Sequence, residues 1–160
     1  MKHVLSALVK NHSGVLSHIA GMFSRRAFNI DSLTVGETID PNLSRTTIVV
    51  NGDDEVIEQV KKQLRKLIDV VHVEDILPGQ AIIRELLLVA VEIDEKNRSS
   101  VMELANIFGA KAQDMTERFI TFELVGDARK VESFIQLMQK YGKMKIARTG
   151  LTALNLEEID

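Results

Sequence analysis

Apolar and polar positions run in the same order in two stretches of the chain. The segment from Ile48 (IVVNGDDEVIEQVKKQLRKLIDVVHV) and the segment from Phe122 (FELVGDARKVESFIQLMQKYGKMKIA) each read as an alternating apolar strand, a Gly-Asp turn, a helix and a second apolar strand. The turns are Gly52-Asp53 and Gly126-Asp127. In the first helix Val56, Ile57, Val60, Leu64, Leu67 and Ile68 recur at spacings of three and four, which predicts one buried stripe. Val131, Phe134, Ile135, Leu137 and Met138 do the same in the second. Asp53 or Asp54 caps the first helix, Asp127 caps the second, and Gly142 follows its end.

The parts preceding these segments also correspond. A strand (Val4 to Val9; Leu86 to Ile93) passes through a polar loop into a helix containing Ile19-Ala20-Gly21-Met22-Phe23 or Leu104-Ala105-Asn106-Ile107-Phe108. Each half therefore reads strand, helix, strand, strand, helix, strand, in which two helices cover one face of a four-stranded antiparallel sheet. The fold class is α+β, with two tandem ferredoxin-like βαββαβ domains that divide at Pro78-Gly79 into residues 1–77 and 78–160. The central hairpin of the first half pairs Asn29–Val35 with Thr46–Asn51 around Asp40 and Pro41; in the second half it is shorter and turns near Thr116-Glu117. Units of this size bury limited cores, and their exposed edges invite pairing with another copy, so a homodimer is expected.

Composition narrows the function. With 20 Lys and Arg against 23 Asp and Glu the net charge is -3, which offers no phosphate-attracting excess, and nucleic acid is not an expected partner. Phe119 and Phe122 are three apart on one strand and so face opposite sides, unlike a base-stacking platform. No run approaches the ~18 apolar residues of a membrane span and no signal peptide begins the chain, so no membrane is expected and the location is cytoplasmic. Cysteine is absent, and His3, His12, His18 and His72 lack the spacing of a helical zinc site, so no metal ligand is assigned. Glu92, Asp94 and Glu95 imitate a paired acid/base site, yet their place at a strand end followed by a helix favours solvated charges. No serine lies in a nucleophile elbow, and no catalytic residue is assigned.

The segment Val9-Lys10-Asn11-His12-Ser13-Gly14-Val15-Leu16 is the informative one, a strand end turning directly into a helix. The first N–H groups of a helix lack internal partners and attract anions, so the amides near Gly14, Val15 and Leu16 suit a carboxylate. Asn11 offers donor and acceptor to a free amino acid, and Val15, Leu16 and Ile30 are placed to shape an apolar pocket. The competing reading is an ordinary helix capped by Ser13.

At these residues a family resemblance enters. Asn11-x-Ser13-Gly14-x-Leu16-Ser17-x-Ile19, followed by Phe23-Ser24-Arg25-Arg26-x-Phe28-Asn29-Ile30-x-Ser32-Leu33-Thr34-Val35-Gly36, resembles the small regulatory subunits of acetohydroxyacid (acetolactate) synthase. Asp40-Pro41, Ser44-Arg45, Gln59-Val60-x-Lys62-Gln63-Leu64-x-Lys66-Leu67, Asp69-Val70 and Arg84-Glu85 extend the likeness over roughly residues 2–150. The first half is similar to the ACT domain, a small-molecule-sensing module. The resemblance implies that residues 1–77 sense an amino acid and dimerise, while residues 78–160 help to contact the catalytic subunit. It places valine, or another branched-chain amino acid, between two ACT domains of a homodimer. Asn11, Gly14, Val15, Leu16 and Ser17 come from one side of that site, and Asn29 and Ile30 from the other.

The implied role is a non-catalytic subunit that activates the large subunit of acetolactate synthase and confers feedback inhibition by valine in branched-chain amino acid biosynthesis, which includes isoleucine. Thiamine diphosphate, magnesium and FAD belong, on this likeness, to the catalytic subunit, with no cofactor in this chain. The alternative is a stand-alone ACT-type amino-acid sensor with another partner. Two departures from the family pattern stand out: Ala27 occupies a position that is commonly Gly, and Leu154-Asn155-Leu156-Glu157 lacks the common Arg-Gly.

Overall fold

The computed structural model describes residues 1–156, so Glu157 lies outside the described residues. The chain forms two compact units, Met1–Ile82 together with Leu151 onward, and Ile83–Gly150. In the first, the elements are β1 (Lys2–Lys10), α1 (Val15–Arg25), β2 (Ile30–Glu37), β3 (Leu43–Asn51), α2 (Asp54–Arg65) and β4 (Val70–Asp75). The sheet order is β2-β3-β1-β4, antiparallel throughout. The second unit repeats this with β5 (Ala81–Glu92), α3 (Arg98–Phe108), β6 (Lys111–Met115), β7 (Phe119–Gly126), α4 (Ala128–Met138) and β8 (Met144–Arg148), in the order β6-β7-β5-β8. The tandem βαββαβ arrangement expected from the apolar pattern is the one observed.

Alternation decides which side chains enter each core. Leu5, Ala7 and Val9 of β1 face the helices with Ile48 and Val50 of β3, and there meet Ile19, Phe23, Val60 and Leu64. In the second unit Leu87, Val89, Val91, Ile120, Phe122 and Leu124 meet Val101, Ala105, Val131 and Phe134. The Phe134 ring sits edge-on to Phe108 and Phe122, with centroids at 5.3 and 6.4 Å.

The helix starts follow the expected chemistry. Asp53 accepts from the Val56 N–H at 2.9 Å and Asp127 from the Lys130 N–H at 2.8 Å. Two apolar stripes are shorter than the spacing suggests. α2 ends at Arg65, which leaves Ile68 on the following turn and 83% exposed, and Leu137 turns outward at the end of α4. Gly142 does not terminate a helix; a Cβ there would lie 2.7 Å from the Glu92 carbonyl oxygen, so the residue is small because two backbones meet. β9 (Thr152–Asn155), which falls within the expected second half, groups with the first unit and also pairs with β5, as a fifth strand beside the β6-β7-β5-β8 order. Hydrogen bonds hold it there, from the Ala153 N–H to Thr47 Oγ1 and from Asn155 Nδ2 to the Asp75 carbonyl.

α1 and α3 end alike. Phe28 N–H reaches the Phe23 carbonyl and Ala27 N–H the Ser24 carbonyl, as Ala110 N–H reaches Ala105 and Gly109 N–H reaches Asn106. This is the Schellman pattern, whose pivot takes a left-handed conformation. The pivot is Gly109 at φ 70° in α3 but Ala27 at φ 56° in α1, where a Cβ is strained. Ala27→Gly is therefore expected to raise stability by about 1 kcal/mol, read as a higher urea midpoint at unchanged slope.

Candidate functional site

β1 is the inner strand around which the site is assembled. Its last residue, Lys10, pairs with Leu43 at the start of β3, and Val9 pairs with Val70 at the start of β4. The loop that leaves β1 consequently emerges beside the β2–β3 turn and the residue preceding β4. Asn11 N–H donates to the Asn42 carbonyl at 2.8 Å. Asn11 Nδ2 donates to the Pro41 carbonyl at 2.9 Å and to Glu37 Oε1 at 3.2 Å, and among the described residues no donor reaches its Oδ1.

Gly14 is the N-cap of α1, at φ 91°, and supplies no side-chain cap; the competing Ser13-capped reading is not what forms. Among the described residues the N–H groups of Leu16 and Ser17 have no protein acceptor, whereas Val15 N–H reaches the His12 carbonyl at 3.5 Å. The outcome is a cluster of backbone donors at the positive end of an 11-residue helix. Leu16 and Ser17 are exposed beside it. The Val15 side chain corrects the sequence reading, because it is buried in the core and only its backbone faces the loop.

Asn29 and Ile30 lie elsewhere. Ile30 pairs with Val50, at the opposite end of the sheet from Asn11, and packs its side chain partly against its own core. The eight residues of β2 separate it from Glu37 by about 23 Å at ~3.3 Å per residue. One chain therefore brings together Asn11, Gly14, Val15, Leu16 and Ser17 but not Asn29 and Ile30.

A feature absent from the sequence reading buttresses the loop. Asp69, buried at the start of β4, accepts from His12 Nε2 at 2.8 Å and from His18 Nδ1 at 2.9 Å. His12 Nδ1 in turn lies 2.9 Å from the Ser13 carbonyl oxygen. The bond to Ser13, then the one to Asp69, raises the His12 pKa above its ordinary value. The His18 bond, followed by that of His12, lowers the Asp69 pKa. No sequence period points to residues 12, 18 and 69 together, since the fold alone makes them neighbours.

The corresponding loop of the second unit is tied together by its own side chains, although among the described residues the N–H groups of Ser99 and Ser100 also lack a protein acceptor. Asp94 Oδ1 accepts from the N–H groups of Lys96 and Asn97, and Asn97 Oδ1 accepts from Asp94 N–H. Asn97 Nδ2 donates to the Glu92 and Tyr141 carbonyls. Asn97 is the N-cap of α3 and makes no side-chain cap bond. A depression of about 300 Å³ bordered by Glu92, Asp94, Asn97 and Tyr141 remains. Glu92 faces Arg118 at 3.5 Å while Asp94 serves the turn, so the two carboxylates do not form an acid/base pair.

Two βαββαβ units in tandem define a ferredoxin-like protein whose N-terminal part is an ACT domain. Residues 5–72 match the AHAS small subunit-like ACT domain family, and residues 84–157 match the family described as the small subunit of acetolactate synthase. A relative from Archaeoglobus fulgidus, described as a probable acetolactate synthase small subunit, is 48% identical over 96% of this chain and 96% of its own length. The acetolactate synthase isozyme 3 small subunit of Escherichia coli is 39% identical over 97% of this chain and 96% of its own. The crystal structure of the acetolactate synthase small subunit from Thermotoga maritima superposes with a TM-score of 0.89 at 42% identity, covering 99% of both chains. The chain belongs to the acetolactate synthase small-subunit family. Among the described residues no helix is long and apolar enough to cross a membrane, and no group of three or more His, Cys, Asp or Glu is arranged to hold a metal ion.

Nothing lies within 4 Å of a Cβ built on Gly14, so the constraint there is backbone conformation alone. Gly14→Ala is expected to cost roughly 1 to 2 kcal/mol in urea denaturation, despite the empty space. An unchanged midpoint would show that the loop re-forms without its left-handed residue.

Proposed function

We propose that this protein is the regulatory subunit of an acetolactate synthase, stimulating a catalytic large subunit and making it sensitive to valine. The observation that carries the reading is the start of α1, where Gly14 caps without a side chain and backbone donors stay open. A free amino acid matches it at both ends. Its carboxylate meets the amides of Gly14, Leu16 and Ser17, and its ammonium meets Asn11 Oδ1.

Asn29 and Ile30 complete the site from a second copy. β2 is an edge strand, and two such edges paired antiparallel about a two-fold axis set the Ile30 end of one chain beside the Glu37 end of the other. Glu37 is the residue that Asn11 bonds. A monomer thus holds half a site, and valine binding favours one arrangement of the pair. Coupling to the catalytic subunit of ~1 to 3 kcal/mol alters activity roughly five- to 150-fold. The second unit contributes to contact with the large subunit. Thiamine diphosphate, magnesium and FAD act in that large subunit, and this chain modulates the reaction within branched-chain amino acid biosynthesis.

The test is reconstitution with an acetolactate synthase large subunit. Stimulated acetolactate formation that L-valine suppresses is expected, with Gly14→Asp retaining stimulation and losing the response to valine, because it places a second anion beside the ligand carboxylate. Failure to associate or stimulate would favour a stand-alone amino-acid sensor, and carboligation by the isolated chain would overturn the non-catalytic role.

A further inference from the structure

The buried Asp69 carboxylate joins His12 of the loop to His18 of α1. His12 precedes Gly14, His18 lies on the first turns of α1, and one buried carboxylate takes a hydrogen bond from each. The partners of His12 favour its protonated form. Nδ1 faces a carbonyl oxygen and Nε2 faces a carboxylate, both acceptors only, so both are hydrogen bonds only when each ring nitrogen carries a proton. The imidazolium meets that condition and the neutral ring does not. The charged groups around it are Asp69 before β4, His18 on α1 and Lys10 at the end of β1, the last opposing its charge.

The bond to Ser13 acts on the binding backbone itself. The Ser13 carbonyl and the Gly14 N–H belong to one planar peptide unit and point in opposite directions, so holding the oxygen aims the N–H. A neutral imidazole has one donor and must release either Ser13 or Asp69.

We infer that His12 and Asp69 are positioning residues that make amino-acid binding at the start of α1 proton-linked, the ligand carboxylate being held best when His12 is the imidazolium. This rests on the amino-acid reading of the site proposed above. The direction is set by charge and geometry together: the cation attracts the ligand carboxylate, and the doubly bonded ring aims the Gly14 N–H. Because His12 titrates above its ordinary value, affinity is full below pH ~6.5 and falls as pH rises through the folded-state value.

Calorimetry of the full chain with L-valine at about pH 6 and about pH 8 tests the linkage, since valine keeps its zwitterionic charges over this range. Binding is expected to weaken by up to about tenfold at the higher pH, the effect of one unit of proton linkage. His12→Gln is expected to bind more weakly than wild type at the lower pH and to show no dependence between the two. A flat wild-type profile, or a pH dependence retained by His12→Gln, overturns the inference. In the ligand-free protein, the Gly14 amide resonance is expected to move with the same midpoint as the His12 ring. A Gly14 amide that ignores the ring overturns the linkage whatever valine does, whereas absence of valine binding at both pH values overturns the amino-acid reading itself.

Discussion

The register of β1 is the constraint on which the first unit depends. Held between β3 and β4, it sends Leu5, Ala7 and Val9 into the core and Ser6 to the other face. A slip of one residue would exchange those faces. The same register sets where the chain leaves the sheet. Lys10 ends level with Leu43, so the next residue meets Asn42, Pro41 and Glu37 without any search for partners. Core packing and the geometry of the candidate loop are in this sense one arrangement.

Gly14 and Asp69 then divide the work at the loop. Glycine admits the left-handed turn that starts α1 without a capping side chain, so backbone donors remain open to a ligand. An uncapped helix start is a weak point, and the carboxylate of Asp69 compensates by gripping the loop through His12 and the helix through His18. The second unit shows the other solution to the same geometry. There the Asp94 and Asn97 side chains tie the turn together, while among the described residues the N–H groups of Ser99 and Ser100 lack a protein acceptor just as those of Leu16 and Ser17 do. Two copies of one fold thus differ in how a few loop side chains are bonded.

Much of this was legible in the sequence because it is periodic or local. Apolar spacing gave both sheets and all four helices, the Asp-capped helix starts formed at Asp53 and Asp127, and the Asn11 to Ser17 motif led to the family. Misreadings occurred where periodicity outran the helix. Ile68 and Leu137 continue their stripes by spacing, but the core has ended before they are reached. The position of Val15 in the loop is visible in the sequence, and its burial in the core is not.

The sequence by itself determined the two βαββαβ units, their chief cores, the candidate loop and the kinship, since each depends on residues close together or regularly spaced. Only the tertiary structure decided that Asp69 joins His12 and His18, that β9 groups with the first unit, and that Asn29 and Ile30 stand at the far end of the sheet from Asn11. These facts depend on strand order and register, which bring distant positions together or hold near ones apart. No local spacing in the chain records them.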